Sequence, residues 1–254
     1  MMLFDSHCHL DVEEFDADRM QVLAQARQAG VDEILVPAVK RSTWSQLIAF
    51  CCDDPHLYPA LGLHPVALAE HSQDDIEALA AAVAQTRPVA IGEIGLDWYV
   101  PGLDREKQQQ LLEAQLEVAA TAELPVVLHV RKAHDAMLLT LRRFKLRGGI
   151  CHAFNGSQQQ AERYIDMGFG LGFGGMLTYE HSNHLRRLAA QLPLESIVLE
   201  TDAPDMTVAS HRFERNSPAY LPEICLELAA LRGESVQQVA DTTTANARRL
   251  LHLG

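Results

Sequence analysis

The octapeptide LFDSHCHL, residues 3–10, ends in two histidines spaced to share a task. On an extended strand alternate side chains face the same way, so His7 and His9 take one face while Ser6, Cys8 and Leu10 take the other. Two neighbouring imidazoles invite a divalent metal, but an isolated His-x-His more often holds one core and one surface histidine. A metal site needs further donors. The chain offers His64 in GLHP, Glu93 in GEIGLD, His129 in LHVR, His152 in CHAFNG and Asp202 in LETDAP. Histidines mixed with carboxylates suit Zn²⁺, Mn²⁺, Fe²⁺ or Co²⁺ better than Ca²⁺, which prefers all-oxygen shells; Mg²⁺ is not separable from the others.

What would gather these residues is a repeating unit. Short apolar, β-rich runs recur at 3–7, 33–39, 57–64, 88–97, 125–130, 148–154, 168–173 and 196–202. The segments between them read as amphipathic helices. In 104–123, for example, Leu112, Leu116 and Ala119 form one stripe behind an Asp104 cap. Alternation of this kind predicts a parallel sheet with covering helices, and eight units favour closure into a TIM (β/α)₈ barrel occupying 1–254 as a single domain. A doubly wound open sheet is the alternative, but no Gly-x-Gly-x-x-Gly follows the first run. In a barrel, chemistry collects at the carboxyl ends of the strands. His7, His9, His64, Glu93, His129, His152 and Asp202 all fall there. Two ions about 3.5–4 Å apart are expected, bridged by Glu93, with His7, His9 and Asp202 on one and His129 and His152 on the other. A water shared between them would lose a proton near neutral pH and become a bridging hydroxide nucleophile.

Composition bounds the possible partners. A net charge of −13 repels nucleic acid and anionic membranes over most of the surface, so a phosphodiester substrate would have to be bound locally. No apolar run of spanning length and no basic leader is seen, and five cysteines without a Cys-x-x-Cys pair suit a reducing compartment; the expected location is cytoplasmic. No feature indicates an obligate protein partner. Arg131, in register with His129, is a candidate for a phosphate oxygen, with Arg212 and Arg215 as further rim cations. Asn216 in RNSP is a candidate for the site loop and for substrate contact. Trp98 and Tyr99 are candidates for stacking or for packing, and Cys8 and Cys151 read as small core residues.

Taken in order, DSHCHL, GLHP, GEIGLD, LHVR, CHAFNG and LETDAP resemble the TatD-like metal-dependent deoxyribonucleases of the amidohydrolase superfamily. The resemblance spans nearly the whole chain and implies a TIM barrel with a divalent-metal centre ligated by His7, His9, Glu93, His129, His152 and Asp202. It departs from the family at Val66, where a second histidine often follows GLHP; this bears on one substrate contact and not on the metal site, and His64 itself is a candidate for substrate binding. The function implied is hydrolysis of DNA phosphodiesters, with Asp202 handling a proton and Glu93 joining the ions. The same centre could instead serve an amidohydrolase or esterase of small metabolites, or a metal-holding barrel without turnover.

Overall fold

A computed structural model describes residues 2–254. Eight parallel strands pair in sequence order: β1 Leu3–Asp5, β2 Val31–Pro37, β3 Leu57–Leu61, β4 Ala90–Asp97, β5 Val126–Arg131, β6 Gly149–Cys151, β7 Phe169–Phe173 and β8 Ile197–Leu199. The ring closes where Ser6 N–H donates to the Leu199 carbonyl at 2.9 Å, which makes the chain a TIM barrel. Eight helices follow the eight strands: α1 Arg19–Gln28, α2 Trp44–Cys52, α3 Asp74–Thr86, α4 Arg105–Ala122, α5 His134–Leu141, α6 Gln158–Asp166, α7 Asn183–Gln191 and α8 Leu221–Arg232, with a final α9 Val236–Leu250. No helix is long and apolar enough to cross a membrane.

Helix α4 shows how the sequence sets these boundaries. The Asp104 carboxylate accepts from the amides of Glu106 and Lys107, and Leu112, Leu116 and Ala119 are buried as the stripe requires. Helix α6 opens on a reciprocal Ser157–Gln160 capping box.

The barrel interior has its own apolar layer. Seven strands supply it with Phe4, Leu35, Ala60, Ala90, Val127, Ile150 and Val198, sealed below by Leu250 and Leu251 at the end of α9. β7 contributes no side chain there, because its inward positions are glycines. A Cβ at Gly170 would lie 2.3 Å from Leu250, and one at Gly172 would lie 2.1 Å from the Glu200 carboxylate. The alternation in FGLGF thus makes room for a plug at one level and a charged group at the next.

Five strands end earlier than the sequence suggests. β1, β2, β3, β6 and β8 end at residues 5, 37, 61, 151 and 199, where 7, 39, 64, 154 and 202 are the expected ends. Beyond those points the regular ladder ends, although single inter-strand bonds persist, such as Cys8 N–H to the Leu35 carbonyl and His152 N–H to the Leu128 carbonyl, each at 3.1 Å. His7 and His9 both lie outside β1, past a bend at Ser6.

Candidate metal centre

At the carboxyl mouth, Glu93 is the hub. It sits within a register shift between β4 and β5 that spans Ile91–Ile94, and such an irregularity re-aims a strand side chain. Its side chain is 1% exposed, and its two oxygens face different sets of imidazoles. Oε2 lies 3.0 Å from His7 Nε2 and 3.3 Å from His9 Nε2. Oε1 lies 2.8 Å from His129 Nδ1, 3.0 Å from His152 Nε2 and 3.1 Å from His64 Nε2. Asp202 Oδ1 completes the first set at 3.7 Å from both His7 and His9. Held by a hydrogen bond from its amide to the His7 carbonyl, Asp202 takes a left-handed backbone, φ 57°.

These separations fit divalent ions. The Nε2 atoms of His7 and His9 are 3.2 Å apart, and His9 Nδ1 lies 3.1 Å from the Pro37 carbonyl, so Nδ1 carries the proton and the His9 Nε2 lone pair points at its neighbour. A cation between the two nitrogens satisfies both. With metal–ligand bonds of about 2.1 Å, ligand atoms around one ion are separated by about 3.0–3.4 Å, close to the values in this set. His7, His9, Asp202 and Glu93 Oε2 could hold one ion; His129, His152 and Glu93 Oε1 could hold a second.

His64 is geometrically part of the second set, but its tautomer argues for a different part. Its Nδ1 accepts the Val66 amide at 3.1 Å, so in the neutral ring Nε2 carries the proton and donates to Glu93. Burial lowers this imidazole to about 4, which keeps it neutral. It is a donor facing the centre, not a free lone pair.

Electrostatics surround a charged hub with rings of both kinds: against burial, the neighbouring carboxylates raise His9 to about 9 and raise His129 and His152, while burial lowers His7 and His64. Burial alone would raise Glu93, but the surrounding histidines hold it well below the usual carboxylate range. Burial and the neighbouring His152, whose ring stacks on His7 at 3.8 Å, hold His7 well below the usual imidazole range, leaving its lone pairs available. Burial raises Asp202 to about 6.

Two carboxylates behind the centre escaped the sequence reading. Asp97 Oδ2 lies 3.0 Å from His129 Nε2, while its Oδ1 accepts the amides of Tyr99 and Val100. Burial opposes its ionisation, but those three partners bring it down to about 2, so it fixes the His129 ring with Nδ1 toward Glu93. Glu200, 1% exposed, accepts the Ala153 amide at 2.6 Å, and the same oxygen lies 3.5 Å from His152 Nδ1 without making a hydrogen bond. The signal for both was parity. Asp97 shares a strand face with Glu93 and Gly95, and Glu200 lies just past β8, two residues before Asp202 in LETDAP.

The remaining candidates divide. Arg131 is exposed at the end of β5, with its guanidinium 3.7 Å from the centroid of the Tyr99 ring. Trp98 is packed against the core, whereas Tyr99 is exposed, so the adjacent pair splits between packing and the rim. Cys8 and Cys151 are buried core residues as expected. Asn216 is not placed to touch substrate: it is fully buried, and its side chain donates to the Thr201 and Asp205 carbonyls and accepts from the Ser217 amide. It ties the two ends of the loop after β8 together. Arg215 is not a free rim cation either, because it pairs with Asp18 at 2.6 Å and covers Phe15.

Known proteins share this framework over its full length. The TatD-related DNase family matches residues 4–252. A metal-dependent hydrolase of Escherichia coli K12, YjjV, is 40% identical over 98% of this chain and 97% of its own. The 3'-5' ssDNA/RNA exonuclease TatD of Salmonella typhimurium is 35% identical over 99% of both chains. The crystal structure of YjjV superimposes with a TM-score of 0.95, at 39% identity over 99% of this chain and 98% of the other. The chain is a metal-dependent hydrolase and belongs to the TatD-related DNase family.

Proposed function

We propose that this hydrolase is a phosphodiesterase acting on DNA at single-stranded ends, with two divalent ions held by His7, His9, Glu93, His129, His152 and Asp202. The observation that carries the reading is the division of Glu93, one oxygen toward His7 and His9 and the other toward His129 and His152. A pair of bound ions supplies Lewis acidity toward a non-bridging phosphate oxygen and lowers the pKa of the attacking water. Zn²⁺, Mn²⁺, Mg²⁺, Co²⁺ and Fe²⁺ all suit the donor set. Around that pair the residues have distinct tasks. Asp202, with its carboxyl near 6, accepts the proton released by the nucleophile. His64 Nε2–H is a neutral donor for a substrate oxygen, and Arg131 at the rim adds a cation for the phosphate. The name of the Salmonella relative, a 3'-5' ssDNA/RNA exonuclease, supports the choice of a nucleic acid strand.

The test is metal analysis of the purified protein followed by parallel assays on end-labelled single-stranded DNA, duplex DNA, RNA and a panel of small esters. Fastest metal-dependent release from single-stranded DNA ends is expected. Turnover confined to the small esters would replace the nuclease reading with a metabolite esterase on the same centre.

A further inference from the structure

Of the chain's two Trp, five Tyr and eight Phe, only Tyr99 and Phe213 are exposed, at 56% and 89%. Both sit on loops at the carboxyl mouth, Tyr99 after β4 and Phe213 after β8. Strands four apart in a closed ring of eight are opposite one another, so the loops that carry the two rings leave opposite sides of the barrel mouth. Each also carries an arginine on its face: Arg131 lies 3.7 Å from the Tyr99 centroid and Arg212 lies 4.6 Å from that of Phe213. Neither arginine has a carboxylate within 4 Å among the described residues, although most other arginines of this acidic chain do.

Phe213 is anomalous on a second count. Its backbone is left-handed, φ 73°, a conformation that bulky residues rarely adopt. A phenyl ring 89% exposed on a left-handed backbone is not held in place by core burial, and the partner on its face is the Arg212 guanidinium.

We propose that the Arg131–Tyr99 and Arg212–Phe213 pairs are stacking platforms for the unpaired bases on either side of the phosphate at the metal centre. The class of ligand is a single-stranded polynucleotide. An aromatic ring capped by a guanidinium offers any base a flat π-face with a cation beside it, which grips the strand without reading its sequence. Bases in a duplex are already stacked and paired, and cannot be splayed onto two platforms across a barrel mouth without melting. The pairs therefore select single strands. This inference rests on the phosphodiesterase reading for its choice of ligand, and its test does not depend on turnover.

The experiment is fluorescence anisotropy of the metal-loaded enzyme with a labelled single-stranded phosphorothioate DNA, an abasic strand of the same length and a blunt duplex. Tyr99→Ala and Phe213→Ala should each weaken binding of the base-bearing strand by about ten- to a hundredfold, the worth of one stacked base, and leave the abasic strand unaffected. Leu226→Ala, an exposed apolar residue on α8, should change neither. Because asparagine tolerates left-handed backbone, Phe213→Asn should lose binding as Phe213→Ala does while Tm holds or rises. Unchanged binding in both alanine variants, an equal loss on the abasic strand, or a lower Tm for Phe213→Asn would overturn the proposal. If the wild-type enzyme cleaves unmodified single-stranded DNA while both alanine variants bind normally, the platforms fall and the phosphodiesterase stands. Base-dependent binding by an enzyme that cleaves no phosphodiester gives the converse.

Discussion

At the scale of single residues, Glu93 carries the most electrostatic weight, because its two oxygens face the two sets of imidazoles separately. Glu93→Gln keeps the shape and removes the charge between two cations, so turnover should fall further than for any single histidine replacement. Steady-state rates at saturating metal, read beside metal stoichiometry, check this; near-normal activity would disprove the bridging role. A second charge works in the opposite sense. Asp5, fully buried beneath the site, is raised by burial from 3.8 to about 8, against hydrogen bonds from Thr201 and from the His7 amide. A carboxyl raised in the fold adds stability that is fully present below about 3.8 and is lost progressively as pH climbs toward 8. Asp5→Asn keeps an acceptor for the two amides and removes the titration. The variant should be flatter than wild type in chemical denaturation across that window, and more stable toward its upper end. Most of the candidate ligand positions were legible in the sequence because each donor closes an apolar run. Asp97 and Glu200 were not, since a carboxylate a few residues along the chain from a ligand position reads as a cap until a histidine from the neighbouring segment is seen against it.

At the scale of elements, β7 shows what an apolar pattern conceals. FGLGF reads as a buried strand and is one, yet its inward glycines are defined by neighbours distant in sequence: Leu250 from α9 and Glu200 after β8. The alternation was visible; what fills the vacated space was not, because only closure of the barrel brings those side chains there. Gly172→Ala tests the arrangement, since its Cβ would lie 2.1 Å from Glu200 Oε2 and must push that carboxylate from behind His152. Loss of such a supporting carboxylate commonly costs about ten- to a hundredfold in metal affinity. Isothermal titration should show one class of sites weakened while the far-UV spectrum stays native, and two unaltered classes would mean that Glu200 supports nothing. The shortened ends of β1, β6 and β8 have a related origin. Hydrophobicity marks where a strand is buried, but the ladder stops where the chain bends to deliver His7, His152 and Asp202.

At the scale of the whole molecule, the net charge of −13 limits how a polyanion can be held. Arg215, which the sequence offers as a rim cation, is consumed by Asp18, which leaves Arg105, Arg131, Lys132 and Arg212 among the cations at the mouth without a carboxylate within 4 Å among the described residues. On single strands the slope of log affinity against log salt is about 0.7 for each phosphate neutralised, so four cations predict a slope of no more than about 3. Affinity must then come from the metal centre and from stacking, both of which are less sensitive to salt than a basic groove. A long duplex, which relies on counterion release along its length, should bind worse than a short single-stranded end. The measurement is a salt titration of metal-loaded Glu93→Gln, first shown to retain its ions, against single-stranded and duplex oligonucleotides of equal length. A slope equivalent to six or more phosphates, or tighter binding to the duplex interior, would require an extended cationic track that the surface of this acidic barrel does not carry.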